Sequence, residues 1–175
     1  MNKKRLLVII GSARQQGDTK AYVDYVFDTT EYTLIDLSDY HIAPYQYQGE
    51  YPAADTFNLL TEDILNHDII IFATPVYWYA MSGSMKALFD RFTDLVTIQK
   101  MTGRKLKGKQ ILLLAVGSDA DIPEGFEIPF KHTAVYLGMQ YHGAVYFSTS
   151  KKIPDPDKSA KKQIFIDRVK KILPL

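Results

Sequence analysis

Five short runs of apolar, largely β-branched residues recur along this chain, each followed by a segment with helical periodicity. That alternation limits the folds open to it. The runs span residues 6–10, 32–37, 68–73, 110–116 and 139–147, and the helical patterns lie near 19–28, 55–66, 82–98, 127–137 and 157–172. Five strands alternating with five helices predict a three-layer α/β sandwich, a parallel sheet with helices on both faces. Residues 6–10 and 111–116 are apolar without a break, as central strands buried on both sides must be. No internal repeat, low-complexity tract or long linker interrupts the pattern, so residues 1–175 read as a single domain. Ligands of such sheets bind at the carboxyl ends of the strands, beside a topological switch point. The loops to read are those after Ile10, Ala73 and Val116.

Composition removes several classes of chemistry. The chain has no cysteine, which excludes disulfides, thiol nucleophiles, thiolate-held iron–sulfur clusters and sulfur-ligated zinc. No apolar run reaches the ~18 residues of a membrane helix. Met1-Asn2-Lys3-Lys4-Arg5 precedes only five apolar residues before Gly11, which is not a secretory signal, so the expected location is the cytoplasm. Formal net charge is +1, yet residues 151–175 carry +5 and residues 1–150 carry −4. The tail starts with Lys151 and Lys152 and carries Ile164, Phe165, Val169 and Ile172 at helical spacing, which predicts a packed helix with a solvated lysine face. No nucleic-acid reader motif accompanies these charges, so neither nucleic acid nor membrane is an expected partner. His41, His67, His132 and His142 lack metal-ligand spacing and read as surface or loop residues; no metal site is expected.

The first loop is Gly11-Ser12-Ala13-Arg14-Gln15-Gln16-Gly17-Asp18-Thr19. Its glycines allow close backbone approach, and Ser12 and Thr19 offer hydroxyls. Asp18 or Thr19 is placed to cap the next helix, whose free N–H groups suit an anion. The loop is not a Walker A motif, because five residues separate Gly11 from Gly17 and Asp18 stands where lysine is needed. It is not a dinucleotide fingerprint either, because Ala13 occupies a glycine position. An ordinary strand-to-helix turn is the plainer alternative, but the loop is long and polar for that.

The second loop is Thr74-Pro75-Val76-Tyr77-Trp78-Tyr79-Ala80-Met81-Ser82-Gly83. Three consecutive aromatics after a proline, at a strand's carboxyl end, form a flat apolar wall on which a heteroaromatic ring can lie. Helix three then starts at Ser82 or Ser84, with Met85, Leu88, Phe89, Phe92, Leu95 and Val96 on one face.

These two loops, with Lys86, Asp90-Arg91 and a third loop Val116-Gly117-Ser118-Asp119, resemble the NADPH-dependent FMN reductase branch of the flavodoxin-like flavoproteins over nearly the whole chain. The resemblance implies a flavodoxin-like five-stranded fold binding non-covalent FMN. It implies that Ser12, Arg14 and Thr19, with Gly17 and Asp18 in the same loop, hold the ribityl phosphate. Pro75, Val76, Tyr77, Trp78 and Tyr79 would line the isoalloxazine ring, and Gly117, Ser118 and Asp119 would close its other side. It further implies a homodimer. Asp18 departs from the family's usual asparagine, and a carboxylate beside a phosphate is repulsive unless it points away.

The activity so implied is ping-pong hydride transfer from NADPH or NADH through FMN to a small acceptor: a quinone, a nitro or azo compound, or free flavin. The flavin carries that chemistry, so no catalytic side chain is expected. A flavodoxin-type electron carrier is one alternative, although such carriers are strongly acidic and this chain is near neutral. A flavin-responsive regulatory binding protein acting through the basic tail is the other. The tyrosine-rich segment 38–54 either borders the site or is a simple surface connection.

Overall fold

Strand β1 (Leu6–Ile10) turns Leu7 and Ile9 to one face of the sheet and Leu6, Val8 and Ile10 to the other, and all five are buried. The computed structural model describes residues 4–150 and 157–173, and Lys151 and Lys152 of the basic tail lie outside them. The remaining strands are β2 (Thr33–Asp36), β3 (Ile69–Pro75), β4 (Gln110–Gly117) and β5 (Gln140–Ser148). They pair in parallel in the order β2-β1-β3-β4-β5. This is the doubly wound, flavodoxin-like order, with its switch point between β1 and β3.

The chain winds one way from β1 to β2 and the other way thereafter, which sends its helices to opposite faces. Helices α2 (Phe57–Leu65), α3 (Gly83–Thr97) and α5 (Ile128–Tyr136) bury Phe57, Leu60, Met85, Leu88, Phe92 and Phe130 on the face of Leu7 and Ile9. Helices α1 (Asp18–Val26) and α6 (Lys158–Ile172) bury Val23, Val26, Phe165 and Val169 on the other. A short α4 (Lys100–Gly103), which the periodicity does not announce, follows α3. The expected three-layer sandwich is therefore observed.

Local details differ. Strand β2 stops at Asp36, whose carboxylate accepts from the Ser38 amide at 2.9 Å and caps a single 3-10 turn over Leu37–Asp39. The inward ridge of α6 is Phe165, Ile166 and Val169, so Ile164 faces solvent instead of packing. Two of its lysines are not simply solvated. The Lys158 ammonium lies 4.6 and 4.4 Å from the Tyr22 and Tyr25 ring centres, and Lys162 lies 4.6 Å from Tyr25. His67 lies in the loop between α2 and β3, as expected, but not at the surface. It is buried, with its ring nitrogens on the Asp63 carbonyl at 2.7 Å and the Thr33 hydroxyl at 2.9 Å.

Candidate functional site

Each loop at the carboxyl rim is stitched at its root to the neighbouring strand. Gly11 donates its amide to the Ala73 carbonyl at 2.9 Å, Val76 to Val116 at 2.7 Å, and Thr149 to Gly117 at 2.7 Å. The three loops singled out from the sequence therefore stand side by side. A Cβ on Gly11 would lie 3.0 Å from the Met85 Cβ and 3.1 Å from the Ser82 hydroxyl, so the first loop presses on the start of α3.

In the first loop Ser12 is buried and its hydroxyl accepts from the Arg14 amide at 3.3 Å. The helix cap differs from expectation. Gly17 is the N-cap residue of α1, with no side-chain cap, and Asp18 and Thr19 are already helical. Asp18 instead faces the Arg14 guanidinium at 3.6 Å, both side chains being exposed. Gln15 ties this loop to the end of β2, donating to Ser38 Oγ at 2.9 Å and Asp39 Oδ1 at 3.0 Å.

The second loop folds into a tight two-residue turn. Tyr77 and Ala80 exchange amide–carbonyl bonds of 2.9 and 3.1 Å, and between them Trp78 and Tyr79 both take positive φ, 50° and 64°. Asn-Gly is the ordinary sequence for such a turn, so nothing in Trp-Tyr signals it. Trp78 is 94% exposed and Tyr79 70%. Below the turn the Ser82 amide donates to Thr74 Oγ1, and Ser82 Oγ accepts from the Met85 amide as the N-cap of α3. The sequence reading offered Ser82 or Ser84; Ser82 holds the position.

In the third loop Ser118 and Asp119 are exposed, and Gly117 ends β4. A Cβ on Gly117 would lie 2.7 Å from the Tyr146 hydroxyl and 3.2 Å from the Val76 Cβ. Only glycine lets the second loop, the third loop and β5 meet there. Tyr146 and Thr149 were not found from the sequence, because alternation in β5 marks Tyr146 simply as a core residue.

Segment 38–54 resolves into two parts. Its root, Ser38 and Asp39, touches the first loop through Gln15. The rest runs along α3, away from the rim. Arg91 is buried there and donates to Asp55 at 2.6 and 3.2 Å, to Asp94 at 2.8 Å and to the Ala43 carbonyl at 3.1 Å. The Tyr51 ring lies 3.4 Å from its guanidinium carbon, and the Tyr51 hydroxyl donates to Asp94 at 3.0 Å. Burial alone would raise the Asp55 carboxyl, but hydrogen bonds from Arg91 and from the Ala43 and Phe57 amides hold it below its ordinary value. One sequence signal could have revealed this staple: Arg91 falls on the apolar stripe of α3, between Leu88 and Leu95.

A family model described as NADPH-dependent FMN reductase matches residues 4–153. The chain belongs to this family. Over 150 residues it is 31% identical to YwqN of Bacillus subtilis (strain 168), whose name describes an NAD(P)H-dependent FMN-containing oxidoreductase; 81% of this chain and 83% of that one are covered. The solved structure of the Trp repressor binding protein from Bacillus subtilis is similar at TM-score 0.66 and 26% identity, covering 94% and 96% of the two chains. General stress protein 14 from Treponema denticola, solved in complex with FMN, shares the fold at TM-score 0.65 and 21% identity, covering 94% and 95%. This FMN reductase family member is thus an oxidoreductase with FMN as cofactor and NAD(P)H as electron donor.

Two features of the rim test the fit to that cofactor. Thr19 is 2% exposed, yet its hydroxyl has no partner among the described residues. An unsatisfied buried hydroxyl costs about 1–3 kcal/mol. The Trp78–Tyr79 turn holds two large rings in water on a backbone that side chains rarely adopt, at about 1–3 kcal/mol per strained residue. A phosphate oxygen beside α1 would give the Thr19 hydroxyl a partner, and a flat ring beside the turn would cover the exposed indole, so the residues present fit the cofactor.

Proposed function

We propose that the FMN of this oxidoreductase lies across the carboxyl rim of the sheet. The observation that carries the reading is the stitching of three polar or aromatic loops into one site, with the unpartnered Thr19 hydroxyl at one end and the uncovered Trp78 at the other. The first loop holds the ribityl phosphate. Ser12 and Thr19 offer hydroxyls, Arg14 offers charge, and Gly17 opens the N–H groups of α1, while Asp18 faces Arg14 and stays clear. Pro75, Val76, Tyr77, Trp78 and Tyr79 line the ring, and Gly117, Ser118 and Asp119 close its far side.

Bound there, FMN supplies a ring that accepts and returns a hydride equivalent. The chain positions the reactants, offers the exposed rings of the aromatic turn to the cofactor, and uses no side-chain nucleophile or general base. In this reading NADPH or NADH and then a quinone, a nitro or azo compound or free flavin occupy one face of the ring in succession, in ping-pong order. The expected setting is the cytoplasm, where that donor is kept.

The working unit is a homodimer. Helix α5 buries Phe130 and Ala134 inward but also leaves Ile128, Val135 and Tyr136 exposed, with Tyr136 lining a cleft with Phe89 and Val96 of α3. A helix apolar on both sides needs a second partner. Light scattering should give twice the chain mass for the native protein and a monomer for Val135→Asp with Tyr136→Asp.

The deciding experiment is a visible spectrum of the purified protein, followed by NADPH without oxygen. Yellow absorbance that bleaches, and returns when a quinone is added, is the expected result. A folded protein that refuses added FMN would overturn the reading.

A further inference from the structure

Besides the Val76 amide on the Val116 carbonyl, the third loop is anchored from β5 and the residue that follows it. Tyr146 Oη donates to the Asp119 carbonyl at 3.0 Å, and Thr149 donates to the Gly117 carbonyl through both its amide at 2.7 Å and its hydroxyl at 3.1 Å. All of these donors take carbonyl oxygens. The loop's amides, from Ser118 to Asp121, have no partner among the described residues. With the Gly117 and Asp119 carbonyls taken up by Thr149 and Tyr146, the N–H groups of this exposed loop are left to donate to solvent or to a ligand.

Tyr146 makes the least replaceable of these contacts. It is buried, it pairs with Ala115 in the sheet, and its hydroxyl fills the space that a side chain at 117 would need. A Cβ on Gly117 would also lie 3.2 Å from the Val76 Cβ, so the second loop, the third loop and the Tyr146 hydroxyl converge on this glycine. The phenol does not belong to the rim, and it acts on the rim through Gly117 and Asp119.

We propose that Tyr146 is a positioning residue for the flavin ring, setting the third loop so that its free amides face the ring's polar edge. This rests on the rim being the FMN site. Phosphate binding is left to the first loop, whereas the Tyr146 hydroxyl donates to the third loop. A defect in Tyr146 therefore acts on the ring and not on the phosphate, and riboflavin, which has the ring but no phosphate, reports it equally.

The test uses Tyr146→Phe, which removes one oxygen and keeps the packed ring. FMN and riboflavin dissociation constants are measured by fluorescence quenching on the ligand-free full chain, with its melting temperature as a folding control. The expected result is about three- to ten-fold weaker binding of both ligands by the same factor. The visible circular dichroism of saturated flavin should also fall, while the melting temperature without ligand stays close to that of the native chain. Thr149→Val, which keeps the amide bond, should weaken both ligands less. Native protein that binds both flavins while Tyr146→Phe binds them equally tightly with an unchanged dichroism band would overturn the assignment and leave the FMN site standing. A loss confined to FMN would also overturn it. A native chain that binds neither flavin overturns both readings.

Discussion

Trp78 combines positive φ with an almost fully exposed indole, so folding gains little from it. Trp78→Ala should therefore leave the unfolding midpoint within about 0.5 kcal/mol, the usual range for a surface change. It should weaken FMN retention by the worth of one aromatic stack, about 1–3 kcal/mol or roughly 5- to 150-fold. Equilibrium dialysis of flavin against both proteins checks this, and equal flavin content would refute the shelf. Asp18 makes the opposite case. Its carboxylate pairs with Arg14 at 3.6 Å in solvent, an arrangement worth less than about 1 kcal/mol. Asp18→Asn frees Arg14 and removes a negative charge from the first turn of α1, so FMN should bind equally well or more tightly. Clearly weaker binding at unchanged stability would show that the carboxylate assists the cofactor.

Between elements, the strongest unshared feature is the staple of Arg91 with Asp55 and Asp94, which fastens residues 43–55 along α3. Arg91→Leu leaves two buried carboxylates without their cation and should cost about 3–5 kcal/mol in urea unfolding. Asp90→Asn breaks only the exposed Lys86–Asp90 pair and should cost a few tenths at most. The same staple gives a pH dependence of known sign. The folded Asp55 titrates below its ordinary value of 3.8, so its stabilisation is complete above that pH and is lost as pH falls through the lower, folded value. Amide exchange in residues 43–55 should therefore accelerate below about pH 3.8 before β3 and β4 open. Protection that is indifferent to pH across that range would argue against the staple.

Across the whole molecule, sequence periodicity was enough for the five strands, their parallel sense and the three loops, because buried central strands such as 69–73 and 111–116 leave little else for the pattern to be. Family membership was legible separately, through the resemblance that the first and second loops carry together, and the family match over residues 4–153 bears it out. What stayed hidden depends on distance along the chain. Arg91 and Asp55 are 36 residues apart, and Tyr146 meets Asp119 across 27, so no local spacing betrays either contact. The positive φ of Trp78 and Tyr79 escaped for another reason, since the loop's own hydrogen bonds impose it against residue preference.

Because every strand runs the same way, the rim loops occupy one end of the sheet and Lys105, exposed just before β4, sits at the other. The chain has no native thiol. A lone cysteine introduced at Lys105 would be a unique chemical handle, letting the protein be tethered to gold or a bead with its rim facing outward.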